Sequence, residues 1–184
     1  KNGALIKHFY IWFVKLLKYT TMPISIGQNA PNFTLFDTDK NPVQLADAKG
    51  KNVVLLFFPL AFTGVCTTEL CNVRDNIAAY NSTNAQVYGI SVDSLFALGK
   101  FKEEQKLNFP LLSDFNKAAA TAFDVLYETF PAFEMQGVSK RAAFVLDANG
   151  VVQYAEVCPT PGDLPNFEAI QTTLNSLNWN VANC

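Results

Sequence analysis

The sequence predicts a single α/β domain with a mixed central sheet flanked by helices. Three observations carry this prediction. Two predominantly apolar, β-rich runs, Asn52-Val-Val-Leu-Leu-Phe-Phe58 and Gln86-Val-Tyr-Gly-Ile-Ser-Val92, read as strands buried on both faces. A helical segment lies between them, which makes a βαβ unit and requires the two strands to be parallel. Late in the chain, Asp147-Ala-Asn-Gly150 joins two further β-rich runs, Ala142–Leu146 and Val151–Val157, as an antiparallel hairpin through its Asn-Gly. A parallel unit followed by an antiparallel hairpin cannot form a sheet of one kind.

The remaining elements follow in order. Phe33–Phe36 and Val43–Gln44 form a short hairpin around the turn residues Asp37-Thr-Asp-Lys-Asn-Pro42. Pro59 ends the first buried strand, and a helix is expected from about Val65 to Tyr80. A second helix runs from Ser94, a suitable N-cap, to Lys106. Leu111–Leu112 is a short strand, Lys117–Phe123 a short helix, and the last helix spans about Pro165 to Leu177. No repeat or low-complexity linker divides the body.

Composition narrows the function. Hydrophobic residues make up 49% of the 184 residues and charged ones 16%, which suits a packed core, and sixteen phenylalanines supply much of it. The net charge of −2 hides an asymmetry: the four lysines of residues 1–21 face no acid, which leaves residues 22–184 at −6. An acidic body argues against binding nucleic acid, which rests on cationic neutralisation of phosphates. The single histidine, His8, lies outside the body, so no Ser–His–Asp or Cys–His machinery and no histidine-rich metal site is available there. Neither a metal nor an organic cofactor is expected.

Residues 4–19 are apolar but interrupted by Lys7, Lys15 and Lys18, and the uncharged run Phe9–Val14 falls far short of the roughly 20 residues that span a bilayer. We read Met22 as the natural start, residues 1–21 as a non-native or dispensable arm, and residues 22–184 as the domain. Membrane contact is expected only if the arm is native, as a surface-lying helix.

The chemistry points to Phe57-Phe-Pro-Leu-Ala-Phe-Thr-Gly-Val-Cys-Thr-Thr-Glu-Leu-Cys71. Cys66 falls where a buried strand gives way to a helix, within its first turn, where unpaired N–H groups and the helix dipole favour an anion. A thiol there loses its proton more readily, and the thiolate is the nucleophile. The Thr63 hydroxyl lies within reach of Cys66 or of the amides around it, as in a helix cap. Pro59, with no N–H, can wall one side of the sulfur. Against this stands the ordinary role of a lone cysteine, a small buried hydrophobe.

The spacing Pro59-x-x-x-Thr63-x-x-Cys66 resembles the active-site signature of the peroxiredoxins. The string Phe57 to Cys71 is most similar to the one-cysteine, AhpE-like branch, whereas Cys66-x4-Cys71 resembles the PrxQ-like branch. Collinear similarity at Ala30–Phe33, Arg74-Asp75, Val87–Asp93, Phe109–Asp114 and Lys140–Asp147 extends the resemblance over residues 24–178. It implies a thioredoxin-like fold and a thiol-dependent peroxidase acting on hydrogen peroxide or alkyl hydroperoxides through a cysteine sulfenic acid. Cys66 would attack the peroxide, Thr63 would accept from it, and Arg141 would supply donors to the sulfur and the departing oxygen. Glu69 would cap the helix start or brace an arginine; an exposed helix acid is the competing reading. Arg74 lies on a similar helix face to Cys66 or pairs with a neighbouring acid. The resemblance also implies a homodimer and a thioredoxin-like or other thiol reductant, and the phenylalanines Phe36, Phe62 and Phe130 would shape substrate preference.

The thiol that resolves the sulfenic acid stays open. Cys71 is the leading candidate, followed by an external thiol, Cys184 and Cys158. Cys158-Pro159 superficially matches a resolving motif that belongs after the final helix, yet here it precedes that helix, which marks the match as coincidental and leaves an exposed, reactive Cys158 as the alternative. Irregular cysteine spacing argues against a secreted disulfide scaffold and for a reducing compartment such as the cytoplasm. Two rival activities remain: a peroxide sensor or holdase, and a thiol–disulfide oxidoreductase, which would require the Cys-x-x-Cys that is absent.

Overall fold

A computed structural model describes residues 24–182. The arm, residues 1–21, and Cys184 lie outside the described residues. The strands are β1 (Thr34–Asp37), β2 (Pro42–Gln44), β3 (Asn52–Phe57), β4 (Ala85–Ser91), β5 (Leu111–Ser113), β6 (Ala142–Leu146) and β7 (Val152–Val157). The helices are α1 (Gly64–Asp75), α2 (Ile77–Ser82), α3 (Leu95–Gln105), α4 (Ala118–Ala122) and α5 (Phe167–Ala182), with a 3-10 turn at Leu45–Ala48. They build one mixed sheet in the order β2-β1-β5-β4-β3-β6-β7.

β3 is the axis of the sheet. All six of its residues are buried, and it pairs in parallel with β4 and antiparallel with β6. Its side chains alternate between two cores, as a pleated strand requires. Val54 and Leu56 meet Leu70, Val73, Leu98, Phe101, Ile170 and Leu174, which belong to α1, α3 and α5. Val53, Leu55 and Phe57 meet Leu45, Ala119, Phe123 and Phe144 on the opposite face. The expected α/β architecture with a thioredoxin-like arrangement is the one observed.

Two differences have local causes. The helix expected over Val65–Tyr80 is two helices, because Asn76 (φ −107°, ψ 12°) breaks it. The Asn76 side-chain amide donates to the Asn72 carbonyl at 2.8 Å, an alternative to continued helix that asparagine favours. The last helix begins later than Pro165, at Phe167, where the Asn166 side chain accepts from the Ala169 N–H at 3.0 Å as an N-cap. Ser94 caps α3 as expected, accepting from the Ala97 N–H.

The parallel strands β3, β4 and β5 bring their carboxyl ends to one edge of the sheet. Open α/β sheets place their binding sites along such an edge. The loop from β3 to α1 rises from it.

Candidate active site

This loop, residues 58–63, is shaped by one half-buried acid. The Ala61 N–H donates to Asp93 Oδ2 at 2.8 Å, and Ser91 Oγ donates to the same oxygen at 2.6 Å. The Asp93 carbonyl accepts from Ser113 Oγ at 2.7 Å, so the ends of β3, β4 and β5 are stitched together at Asp93. Phe62, two residues after Leu60, sits in the left-handed region at φ +63°. A phenylalanine there is strained unless its surroundings hold it. Its ring packs against Phe101, 5.1 Å between centroids, while half of it stays exposed. Asp93→Ala removes the acceptor that fixes Ala61 and is expected to slow reaction of the site with hydroperoxide about tenfold through misplacement of the loop. Stopped-flow kinetics of the reduced variant check this, with Asp93→Asn expected to recover most of the rate.

Thr63 is the N-cap residue of α1, with extended backbone. Its carbonyl accepts from the Thr67 N–H at 2.9 Å. Its side chain makes no capping bond, contrary to the sequence reading. Instead the hydroxyl donates to the Leu60 carbonyl at 2.9 Å. With its proton committed there, the Thr63 oxygen meets any further partner as an acceptor. Pro59 is buried at the end of β3.

Cys66, the third residue of α1, is 1% exposed. Arg141, which immediately precedes β6, is buried to the same degree. Its Nη2 lies 3.3 Å from Cys66 Sγ and donates to the Pro161 carbonyl at 3.0 Å. Its Nη1 donates to Glu69 Oε2 in a short, fully buried ion pair. Cys66 and Glu69 are separated by three positions and so lie on one helix face, which lets a single guanidinium reach both. The competing reading of Glu69 as an exposed helix acid is thereby set aside. Burial pulls Arg141 down, but Glu69 and the Cys66 sulfur outweigh it and hold the guanidinium above its ordinary pKa.

Burial pushes the Glu69 carboxyl up from 4.5 to about 7, against the pull of Arg141. The unfolded chain therefore releases this proton at lower pH than the folded one. Between about 4.5 and 7 the folded state holds the extra proton, so the stability this group contributes at low pH is lost as pH rises through that window. Glu69→Gln is expected to flatten this decline, which urea denaturation at a series of pH values from 4 to 8 checks.

The other cysteines occupy different surroundings. Cys158 follows β7, and its N–H donates to the Arg141 carbonyl at 2.9 Å. It is 3% exposed, and burial pushes its thiol up to about 11. The alternative that Cys158 is exposed and reactive is corrected accordingly, because a buried neutral thiol is inert. Cys71 is half-buried on α1, with its Sγ 3.8 Å from Gln105 Oε1. Arg74 pairs with Asp75 at 2.8 Å and donates to the Gln105 carbonyl at 2.6 Å. It reaches the end of α3, and its guanidinium is committed to Asp75 and Gln105. Of the residues singled out by sequence, the structure unites Cys66, Glu69 and Arg141 in direct contact, with Thr63 and Pro59 in the adjoining loop.

Sequence reasoning missed Asp93 and Pro161. The signal for Asp93 was present: Ser91-x-Asp93 closes a strand at the edge where the site forms. Pro161 contributes only a carbonyl, which no residue type announces.

A strand-to-helix turn that presents a cysteine to a buried arginine, on a mixed sheet with this order, defines a thiol-dependent peroxidase of thioredoxin-like fold. The AhpC/TSA family profile matches residues 26–155. Alkyl hydroperoxide reductase E of Mycobacterium tuberculosis (strain ATCC 25618 / H37Rv) is 35% identical over 144 residues, which cover 77% of this chain and 90% of that protein. Peroxiredoxin Bcp of Escherichia coli (strain K12) is 36% identical over 133 residues, 72% of this chain and 85% of that protein. The crystal structure of peroxidoxin BcpB from Mycobacterium tuberculosis superposes with a TM-score of 0.74 at 28% identity, covering 84% of this chain and 98% of that one. The chain belongs to the AhpC/TSA family, the peroxiredoxins.

Among the described residues no helix is long and apolar enough to cross a membrane.

Proposed function

We propose that Cys66 reduces hydrogen peroxide and alkyl hydroperoxides and that Cys71 resolves the product. The Cys66 sulfur attacks one peroxide oxygen, the O–O bond breaks, and the departing oxygen leaves as water or an alcohol once protonated, with Cys66 oxidised to sulfenic acid. Thr63, able only to accept, orients the protonated peroxide oxygen. Arg141 places N–H donors beside the sulfur, where charge leaves it, and beside the departing oxygen, where charge arrives. Glu69 holds that guanidinium in place. The observation that carries this reading is the single arginine nitrogen at 3.3 Å from Cys66 Sγ, with the other nitrogen locked to Glu69.

In the second step the Cys71 sulfur attacks the sulfenic sulfur and water leaves, which yields a Cys66–Cys71 disulfide for an external thioredoxin-like or other thiol to reduce. Five residues of helix rise about 7.5 Å, beyond the roughly 4.4–6.8 Å between Cα atoms that a disulfide allows. α1 must therefore open locally, as helix ends do. Intact mass after one equivalent of peroxide tests the scheme. A loss of about 2 Da that disappears in Cys71→Ser supports it. A persistent gain of about 16 Da in the parent assigns resolution to an external thiol instead.

A homodimer is supported by exposed aromatics at the carboxyl edge of the sheet: Phe36, Phe62, Phe96 and Phe115 are 50–71% exposed. The three described cysteines are all free thiols, which suits a reducing compartment such as the cytoplasm. The arm, residues 1–21, is taken as dispensable to this activity.

A further inference from the structure

We infer that Arg74 is a positioning residue for Cys71: it ties the second half of α1, where Cys71 sits, to the end of α3. Opening of α1 is thereby confined to its first half. The inference rests on the proposed resolving role of Cys71 and assigns a residue that serves this step and not the attack on peroxide.

Two ends of one helix are held very differently. At the carboxyl half, Arg74 Nη1 donates to the Gln105 carbonyl at 2.6 Å and Cys71 Sγ meets Gln105 Oε1 at 3.8 Å. The Asn108 side-chain amide donates to the Arg74 carbonyl at 3.1 Å. Gln105 is the last residue of α3, and Lys106 closes that helix in the left-handed conformation at φ +52°, so the anchor is a fixed helix terminus. Three contacts thus fasten residues 71–74 to residues 105–108. Cys71 and Arg74, three positions apart, are neighbours on one helix face. Attraction between them is one of the effects that raise the Arg74 pKa, after its hydrogen bond to Asp75.

The amino half is held through Arg141, which meets Cys66 and Glu69, but its first turn is weakly fastened. α1 carries no acid in its first turn and no side-chain cap, since the Thr63 hydroxyl is committed to Leu60. The hydroxyls of Thr67 and Thr68 bond back to the carbonyls of Thr63 and Gly64, at 2.9 and 3.0 Å, a pattern that loosens helices. The Arg141 contact to Cys66 is made to the reduced sulfur and changes when that sulfur gains oxygen. Residues 64–68 can then unwind without breaking the Glu69–Arg141 pair. Cys66 travels toward a stationary Cys71. The Cys71 sulfur bonds to the Cys66 sulfur, the S–O bond breaks, and the oxygen departs as water carrying the Cys71 proton. Both sulfurs end as disulfide with no further oxidant.

Rapid-quench intact mass separates the two steps in Arg74→Met, Arg74→Lys and Cys71→Ser. Arg74→Met is expected to form the +16 species at the parental rate and the −2 species about tenfold more slowly, with more sulfinic acid at excess peroxide. Arg74→Lys, which keeps the charge without the fork, is expected to lie between. Parental −2 kinetics in Arg74→Met, or equal slowing of both steps, overturns the inference alone. Absence of a −2 product in the parent, or its survival in Cys71→Ser, overturns the resolving role of Cys71 and the inference with it. If Arg74→Met does not fold, Arg74→Gln is read by the same criteria.

Discussion

Cys66→Ser is expected to abolish hydroperoxide consumption while leaving the fold and its thermal unfolding nearly unchanged. A serine hydroxyl is close in size to the thiol, so the buried position beside Leu70 and Phe58 tolerates it. It is, however, a far weaker nucleophile, and the body has no histidine to activate it. Arg141 supplies donors and cannot act as a base, because a guanidinium does not give up its proton. The measurement is peroxide loss in the presence of a dithiol reductant. Turnover by Cys66→Ser equal to that of the parent would remove Cys66 from the chemistry.

The second large effect is expected at Arg141. Arg141→Met removes the donor at the sulfur and, with it, the donor proposed for the departing oxygen, and the peroxide rate constant should fall by about 10²–10³, the usual loss for a positioned donor. The same substitution leaves the fully buried Glu69 without its cation, which costs about 3–5 kcal/mol where that acid stays charged. The two consequences separate in a double variant. Arg141→Met with Glu69→Gln is expected to regain most of the stability in urea denaturation and none of the rate, because the amide carries no charge but restores no donor to Cys66. Recovery of the rate in the double variant would show that Arg141 acts on the fold rather than on the reaction.

Much of this site was legible in the amino-acid order. Cys66 announces itself through the change from a buried strand to a helix, with Pro59 marking the end of one and Thr63 the start of the other. The near neighbours could be placed because helix geometry is local: Glu69 shares a face with Cys66 whatever the rest of the chain does. The role of the Thr63 hydroxyl was not legible, since a threonine at an N-cap ordinarily accepts from the helix amides. Here the Leu60 carbonyl takes its proton, and only the course of the loop makes that carbonyl available. Asn76 ended the first helix where the apolar pattern continued, because a side-chain bond to Asn72 competed with the backbone.

Cys158 shows the same division. Its Cys-Pro neighbourhood matched a resolving motif only superficially and left its exposure open, and burial keeps the thiol neutral. Arg74 likewise lies two helical turns from Cys66, yet its long side chain extends to the carbonyl of Gln105, 31 residues away.

The sequence by itself determined the α/β order, the strand-to-helix turn, the position of the sulfur in the first helical turn and the absence of an imidazole in the body, because each depends on residue type and short-range periodicity. Only the tertiary structure decided that Arg141, 75 positions from Cys66, and Glu69 meet at that sulfur in the dark of the core. That meeting depends on β3 and β6 pairing antiparallel, which sets the residue before β6 over the start of α1. Such placement is a property of the packed sheet, where contacts far apart in the chain are fixed by burial that no short window of residues encodes.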